Sequence, residues 1–171
     1  MHKPIQGRDL GSGTYALLLE CRQAGALRAG GLGRLHLDPG FYLYIGSAFG
    51  PGGLRSRLGR HAARVKKKHW HIDYLRPRTV LAGAWFSTST TQLEHVWAAR
   101  VAELSGAKVP FPGFGASDCR CASHLFVLQG AEDPYSSLSR ALGRAGAGGE
   151  DFLAPGKLRA LARGRGSAIR R

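Results

Sequence analysis

The residues of this chain that could do chemistry gather in a few stretches. The densest is Leu54–Trp70, LRSRLGRHAARVKKKHW. It carries Arg55, Arg57, Arg60, Arg64, Lys66, Lys67 and Lys68, with no acid among them. Read as a helix, Arg57, Arg60, His61 and Arg64 recur every three or four residues and share a face. Like charges at that spacing repel by about 0.2–0.5 kcal/mol per pair. Packing alone does not favour such a face, whereas phosphate contact does. A solvated helix face is the plain alternative.

His69-Trp70-His71-Ile72-Asp73 follows directly. In an extended segment His69, His71 and Asp73 fall on one side. That suits a metal site or a rim that touches substrate, with Trp70 able to stack on a base. A packed connector is the competing reading, and substrate contact is favoured over metal. Further on, Cys119-x-Cys121-x-x-His124 beside Asp118 offers zinc-type ligands. Three ligands leave a fourth wanting, for which Cys21 or Asp118 could serve. The Cys-x-Cys spacing is tighter than structural zinc sites use, so small thiols packed in a loop are the preferred expectation. In a third reading Asp118 and His124 line a groove. Tyr44-Ile45-Gly46-Ser47-Ala48 ends an apolar run just before the basic stretch, and Gly13-Thr14-Tyr15 opens another.

These residues need elements to hold them. Thr14–Cys21, Arg34–Leu37, Phe41–Gly46, Val80–Phe86 and Leu125–Leu128 read as strands. Asp38-Pro39-Gly40 is a turn, making a hairpin that adds to the first strand. Gln23–Gly33 reads as a loop. Leu54–Lys68 reads as a helix after a glycine-rich loop. A second helix, capped by Thr90 or Thr91, runs through Leu93, Val96, Trp97, Val101 and Leu104 as core positions, and Tyr135–Gly143 makes a last one. The expectation is an α/β (α+β) domain over 13–143: a small, mainly antiparallel sheet flanked by helices. Residues 1–12 read as a flexible lead-in. Residues 144–171, rich in Gly, Ala and Arg, read as a basic tail with a helical turn near Lys157–Leu161.

Composition sets the outer limits. The chain has 171 residues and 43% hydrophobic content, enough for one core, and no apolar run near the length of a membrane span. Lys and Arg number 25 against 11 Asp and Glu, a net charge of +14. That excess calls for a polyanionic partner, nucleic acid before a membrane surface, because the basic helix lacks a broad apolar face for insertion. Three cysteines without a visible secretion signal suggest reduced thiols in a cytoplasmic setting.

Taken in order, Gly13-Thr14-Tyr15, Tyr44-Ile45-Gly46-Ser47-Ala48, Arg57-Leu58-Gly59-Arg60-His61 and Glu94 resemble the GIY-YIG nuclease family. Gly50–Leu54, Lys67–Leu75 and Gly113–Leu125 resemble its small Uri-like branch, so the likeness spans roughly residues 11–129. The first motif reads GTY and keeps its tyrosine. The longer connection from Tyr15 to Tyr44 is absorbed by the Arg34–Leu37 strand. The Gly-Pro-Gly-Gly insertion leaves Arg55 as an alternative to Arg57, and the spacing to His61 favours Arg57.

The resemblance implies a metal-dependent endonuclease that hydrolyses phosphodiester bonds in DNA, with structured RNA as a second substrate class. It implies Glu94 as ligand of Mg²⁺ or Mn²⁺, Tyr15 as general base and Tyr44 beside it positioning water or phosphate. Arg57 would clamp the phosphate, and His61 would support proton transfer or phosphate binding. Arg55, Arg60, Arg64, Lys66, Lys67, Lys68, His69, Trp70 and His71 are the expected nucleic-acid contacts. A non-catalytic nucleic-acid-binding module on the same fold is the alternative expectation.

Overall fold

The computed structural model describes residues 10–130, 133–143 and 151–163. Thr14–Cys21 (β1) and Gly40–Ser47 (β4) are the longest apolar stretches and pair antiparallel. Val80–Ser87 (β5) pairs with the other side of β1. Ala107–Lys108 (β6), Leu125–Leu128 (β7) and Asp151–Leu153 (β8) complete a six-stranded sheet in the order β6-β7-β4-β1-β5-β8, antiparallel throughout. The near-continuous hydrophobicity of β1 and β4 follows from burial on both faces.

One face holds Tyr15, Leu17, Leu19, Tyr42, Tyr44 and Phe86. It is covered by Gly53–Ala62 (α1), the short His71–Leu75 (α2) and Pro155–Arg163 (α5), through Leu54, Leu58, Ile72, Leu75 and Leu158. The opposite face holds Leu18, Leu43, Ile45 and Trp85 under Glu94–Ala102 (α3) and Pro134–Gly143 (α4). The expected α+β fold, a mainly antiparallel sheet flanked by helices, is what the chain adopts. Among the described residues no helix is long and apolar enough to cross a membrane.

Several local expectations are corrected. Arg34–Leu37 (β3) does not join the hairpin of β1. It pairs with Gly25–Arg28 (β2), in the segment expected to be a loop, as a separate two-stranded sheet. The helix expected over Leu54–Lys68 ends at Ala62, and Ala63 turns extended. Lys66 Nζ reaches back to donate to the Arg60 carbonyl at 2.9 Å, satisfying a helix-end acceptor. Val96, expected in the core, is 43% exposed, while Leu93, Trp97 and Val101 are buried.

Within the expected lead-in, the Leu10 and Gly11 carbonyls accept from Arg55 and Leu54 N–H, so these two residues cap α1. Within the expected tail, β8 pairs with β5 and α5 packs Leu158 fully into the core. The remainder of the lead-in, 1–9, and of the tail, 144–150 and 164–171, lies outside the described residues.

Candidate active site

Tyr15 and Tyr44 lie on one face of adjacent strands because Tyr15 opposes Gly46 and Tyr44 opposes Leu17. Their ring centroids are 6.5 Å apart. Gly46 is required here: a Cβ at that position would meet Tyr15 Oη at 2.5 Å and Cζ at 2.6 Å. The tyrosine ring lies across the strand in the space a side chain would fill. Gly115 does the same for the second tyrosine. It sits at φ +69°, and a Cβ would come within 2.9 Å of Tyr44 Cε2.

His61 ends α1 on its buried side and is fully inaccessible. Its Nε2 lies 2.8 Å from Tyr15 Oη. Burial holds its pKa well below the ordinary histidine range, and the nearby Lys66 cation adds to this. A neutral imidazole can accept the tyrosine proton. Burial also drives the Tyr15 phenol well above its usual value, as does Tyr44 beside it. Tyr44 is raised by burial too. For both phenols Arg57 is the group that acts downward.

Arg57 points its guanidinium over the Trp70 ring, 4.3 Å from the centroid, and lines the cleft in front of the tyrosines. Arg55 is exposed and does not line that cleft. Glu94 enters from the far side. The chain turns into α3 where Leu93 N–H donates to the buried Thr14 Oγ1 at 3.0 Å, next to Tyr15 in sequence. That bond sets the first turn of α3 against the mouth of β1. Tyr15, Tyr44, Arg57 and Glu94 thus line one cleft of about 440 Å³, with His69, Trp70 and His71 in its wall. Asp118 and His124 line it as well, as one sequence reading expected. Glu94 is a hard oxygen donor opening into a polar cleft. One such carboxylate in a cleft with room for retained waters is the donor type that Mg²⁺ or Mn²⁺ takes.

The basic stretch behaves differently from a uniform phosphate-binding face. Asp73 is buried and gathers Arg60 at 2.6 Å and Lys66 at 3.1 Å. It also accepts from the His69 and Trp70 N–H groups at 2.9 and 3.1 Å. Desolvation opposes its ionisation, yet these N–H donors and Lys66 win and hold its carboxyl at about 2. So Arg60 and Lys66 are internal struts, and His61 faces Tyr15 in the core.

His69, His71 and Asp73 do not form a ligand triplet, because α2 turns Asp73 inward while His71 Nδ1 accepts from Gly115 N–H at 3.2 Å. Trp70 is already engaged by two guanidiniums, Arg57 and Arg60. Arg64, Lys67 and Lys68 are exposed. A second cavity of about 360 Å³, lined by Ser56, Arg57, Arg60, Lys67, His69 and Trp70, continues the cleft along α1.

Cys119, Cys121 and His124 sit in the segment between β6 and β7, and the residue that joins them is His95. In the sequence His95 is marked only by its place after Glu94, because its contact with Cys121 joins residues 26 apart. Cys21 lies at the opposite end of β1 and does not join the group; its thiol donates to the Gln23 carbonyl.

The sequence profile of a family described as a domain of unknown function, DUF123, matches residues 14–147. No curated protein and no solved structure matches the chain.

Proposed function

Because the chain belongs to the DUF123 family, whose description names no activity, its function has to come from its own site, and we infer that it is a metal-dependent endonuclease. The observation that carries this reading is the Tyr15–His61 contact at 2.8 Å, opening onto a cleft that also holds Tyr44, Arg57 and Glu94. The likeness of these motifs to GIY-YIG nucleases points the same way.

At rest the pair is neutral. Burial keeps the proton on Tyr15 and keeps His61 uncharged. In the reaction Tyr15 takes a proton from the attacking water while passing its own to His61 Nε2. The water oxygen bonds to phosphorus and the leaving alkoxide departs. The new imidazolium gains from Asp73, the one acid acting on His61 in its favour. Arg57 faces the phosphate, where negative charge grows in the transition state. Tyr44 orients the water or a phosphate oxygen. Glu94 would hold a divalent cation, which supplies positive charge at the phosphoryl group. Arg57 alone is a single cation against two raised phenols, and this is why we expect the activity to need metal. DNA is the first expected substrate and structured RNA the second.

The test is a cleavage assay over single-stranded, duplex, flap and branched DNA and matching RNA, with Mg²⁺, Mn²⁺ or EDTA. Wild type should cut only with metal. Tyr15→Phe should lose at least about 100-fold in rate, the scale of a lost acid–base group, and Glu94→Ala should lose the metal-dependent cleavage, while binding stays within a few-fold. Binding without cutting by wild type in every condition would favour the non-catalytic module.

A further inference from the structure

Four side chains in the wall beyond Glu94 have no part in that reaction. They are His95 at the start of α3 and Cys119, Cys121 and His124 in the segment between β6 and β7. One ligand atom from each lies within 4.8 Å of all the others. Two separations are much shorter: His95 Nδ1 to Cys121 Sγ is 3.1 Å, and Cys119 Sγ to His124 Nε2 is 3.4 Å. A tetrahedral zinc ion, with Zn–S of about 2.3 Å and Zn–N of about 2.0–2.1 Å, spaces its ligand atoms about 3.3–3.8 Å apart. The 3.4 Å pair already falls in that range, the 3.1 Å pair has to open by a few tenths of an ångström, and the widest needs to close by about 1 Å.

We propose that Cys119, Cys121, His124 and His95 bind one structural zinc ion that fastens the loop to the first turn of α3. Two thiolates select a soft or borderline metal over Mg²⁺. Four protein ligands fill the tetrahedron and leave no open position, which marks a structural rather than a catalytic ion. The Cys-x-Cys spacing that argued against zinc in the sequence is accommodated because the other two ligands arrive from separate points. His124 is delivered by the start of β7, its carbonyl accepting from Ile45 N–H at 2.9 Å. His95 comes from a helix. The loop has backbone closures of its own, Gly113 N–H to the Ala122 carbonyl at 2.7 Å and His124 N–H to the Phe114 carbonyl at 2.8 Å. Residues 117–122, however, are exposed or half-buried and contribute little to the core.

A further contact fits the same picture. With Nδ1 turned to Cys121, the other ring nitrogen of His95 lies 3.5 Å from Glu94 Oε1. A carboxylate behind a ligating histidine orients the ring and fixes its tautomer. The zinc site thereby sets the place of Glu94. That consequence rests on the nuclease reading; the zinc site itself does not.

The full chain, purified with reductant and without chelator, should carry about one zinc per molecule by elemental analysis. Exchange into Co²⁺ should give the intense visible bands of a tetrahedral thiolate site. Cys119→Ser/Cys121→Ser should abolish both signals. His95→Ala, at an exposed position, should keep the wild-type circular dichroism and weaken zinc at least about tenfold against a chromophoric chelator. If the double variant does not fold, the wild-type cobalt spectrum and the His95→Ala titration decide. Wild type that binds no zinc and gives no tetrahedral cobalt spectrum overturns the proposal, as does full zinc retention by the double variant or by His95→Ala. Metal content is read without activity, so loss of the nuclease reading would leave this result standing, and the reverse.

Discussion

At the scale of single residues, His61 is the most consequential side chain. It is fully buried, it faces Tyr15, and one of its ring nitrogens, Nδ1, has no hydrogen-bond partner. Its folded-state pKa lies well below the unfolded value of about 6.5, with desolvation first and the Lys66 charge second. A depressed pKa means that the unfolded chain takes up the proton before the folded one does. Stability from this residue is therefore intact above about pH 6.5 and drains away as pH falls below it, with a slope approaching about 1.4 kcal/mol per pH unit. Urea denaturation between pH 7.5 and 5 should show this loss, and His61→Gln should flatten it. A wild-type curve that is flat over that range would mean His61 is not buried in neutral form. Asp73 carries the opposite lesson about charge. It sits amid cations and holds Arg60 and Lys66 in place, so two of the most conspicuous basic residues serve the fold before they serve any partner.

At the scale of elements, the pieces that carry the motif residues were readable, and the pieces that depend on distant partners were not. β1 and β4 announced themselves by unbroken apolar runs, and with them came Tyr15, Tyr44 and Gly46. α1 began where its leucines predicted. Its end was invisible because it depends on Asp73, thirteen residues past Arg60. β2 looked like a glycine-rich loop because a two-stranded ribbon needs few apolar residues. Of α5 only a helical turn near Lys157–Leu161 is legible: Leu158 and Leu161 stand among small and basic residues, yet Leu158 is fully buried. Replacing it with alanine should cost about 2–5 kcal/mol, the range for emptying a leucine site in a core. Thermal or urea denaturation of Leu158→Ala would measure it. A loss under about 0.5 kcal/mol would show that α5 is only loosely docked.

At the scale of the whole molecule, the net charge of +14 is only partly available to a polyanion. Lys66 is taken up inside and Arg60 is tied to Asp73 even where it borders the extension along α1, whereas Arg57 and Lys67 line the cleft and that extension without such a tie to Asp73. Under the nuclease reading, duplex DNA should bind with log affinity falling linearly against log salt, with a slope of about −3 to −5, each phosphate contact adding about 0.9. Lys67→Gln should reduce the slope by about 1 and weaken all sequences alike. Fluorescence anisotropy across a salt series would test this, and a slope near zero would remove the phosphate backbone as the ligand.

The order of the strands also bears on how the molecule can meet its own copies. β1, β4 and β5, each eight residues long, are interior. Among the described residues the two borders of this six-stranded sheet are β6, of two residues, and β8, of three. Borders that short offer few unpaired backbone groups as a template for a further strand, which is one way natural sheets avoid edge-to-edge growth. Self-association by sheet extension is thereby discouraged at both ends, and the strands that carry the tyrosines are never the ones at the border.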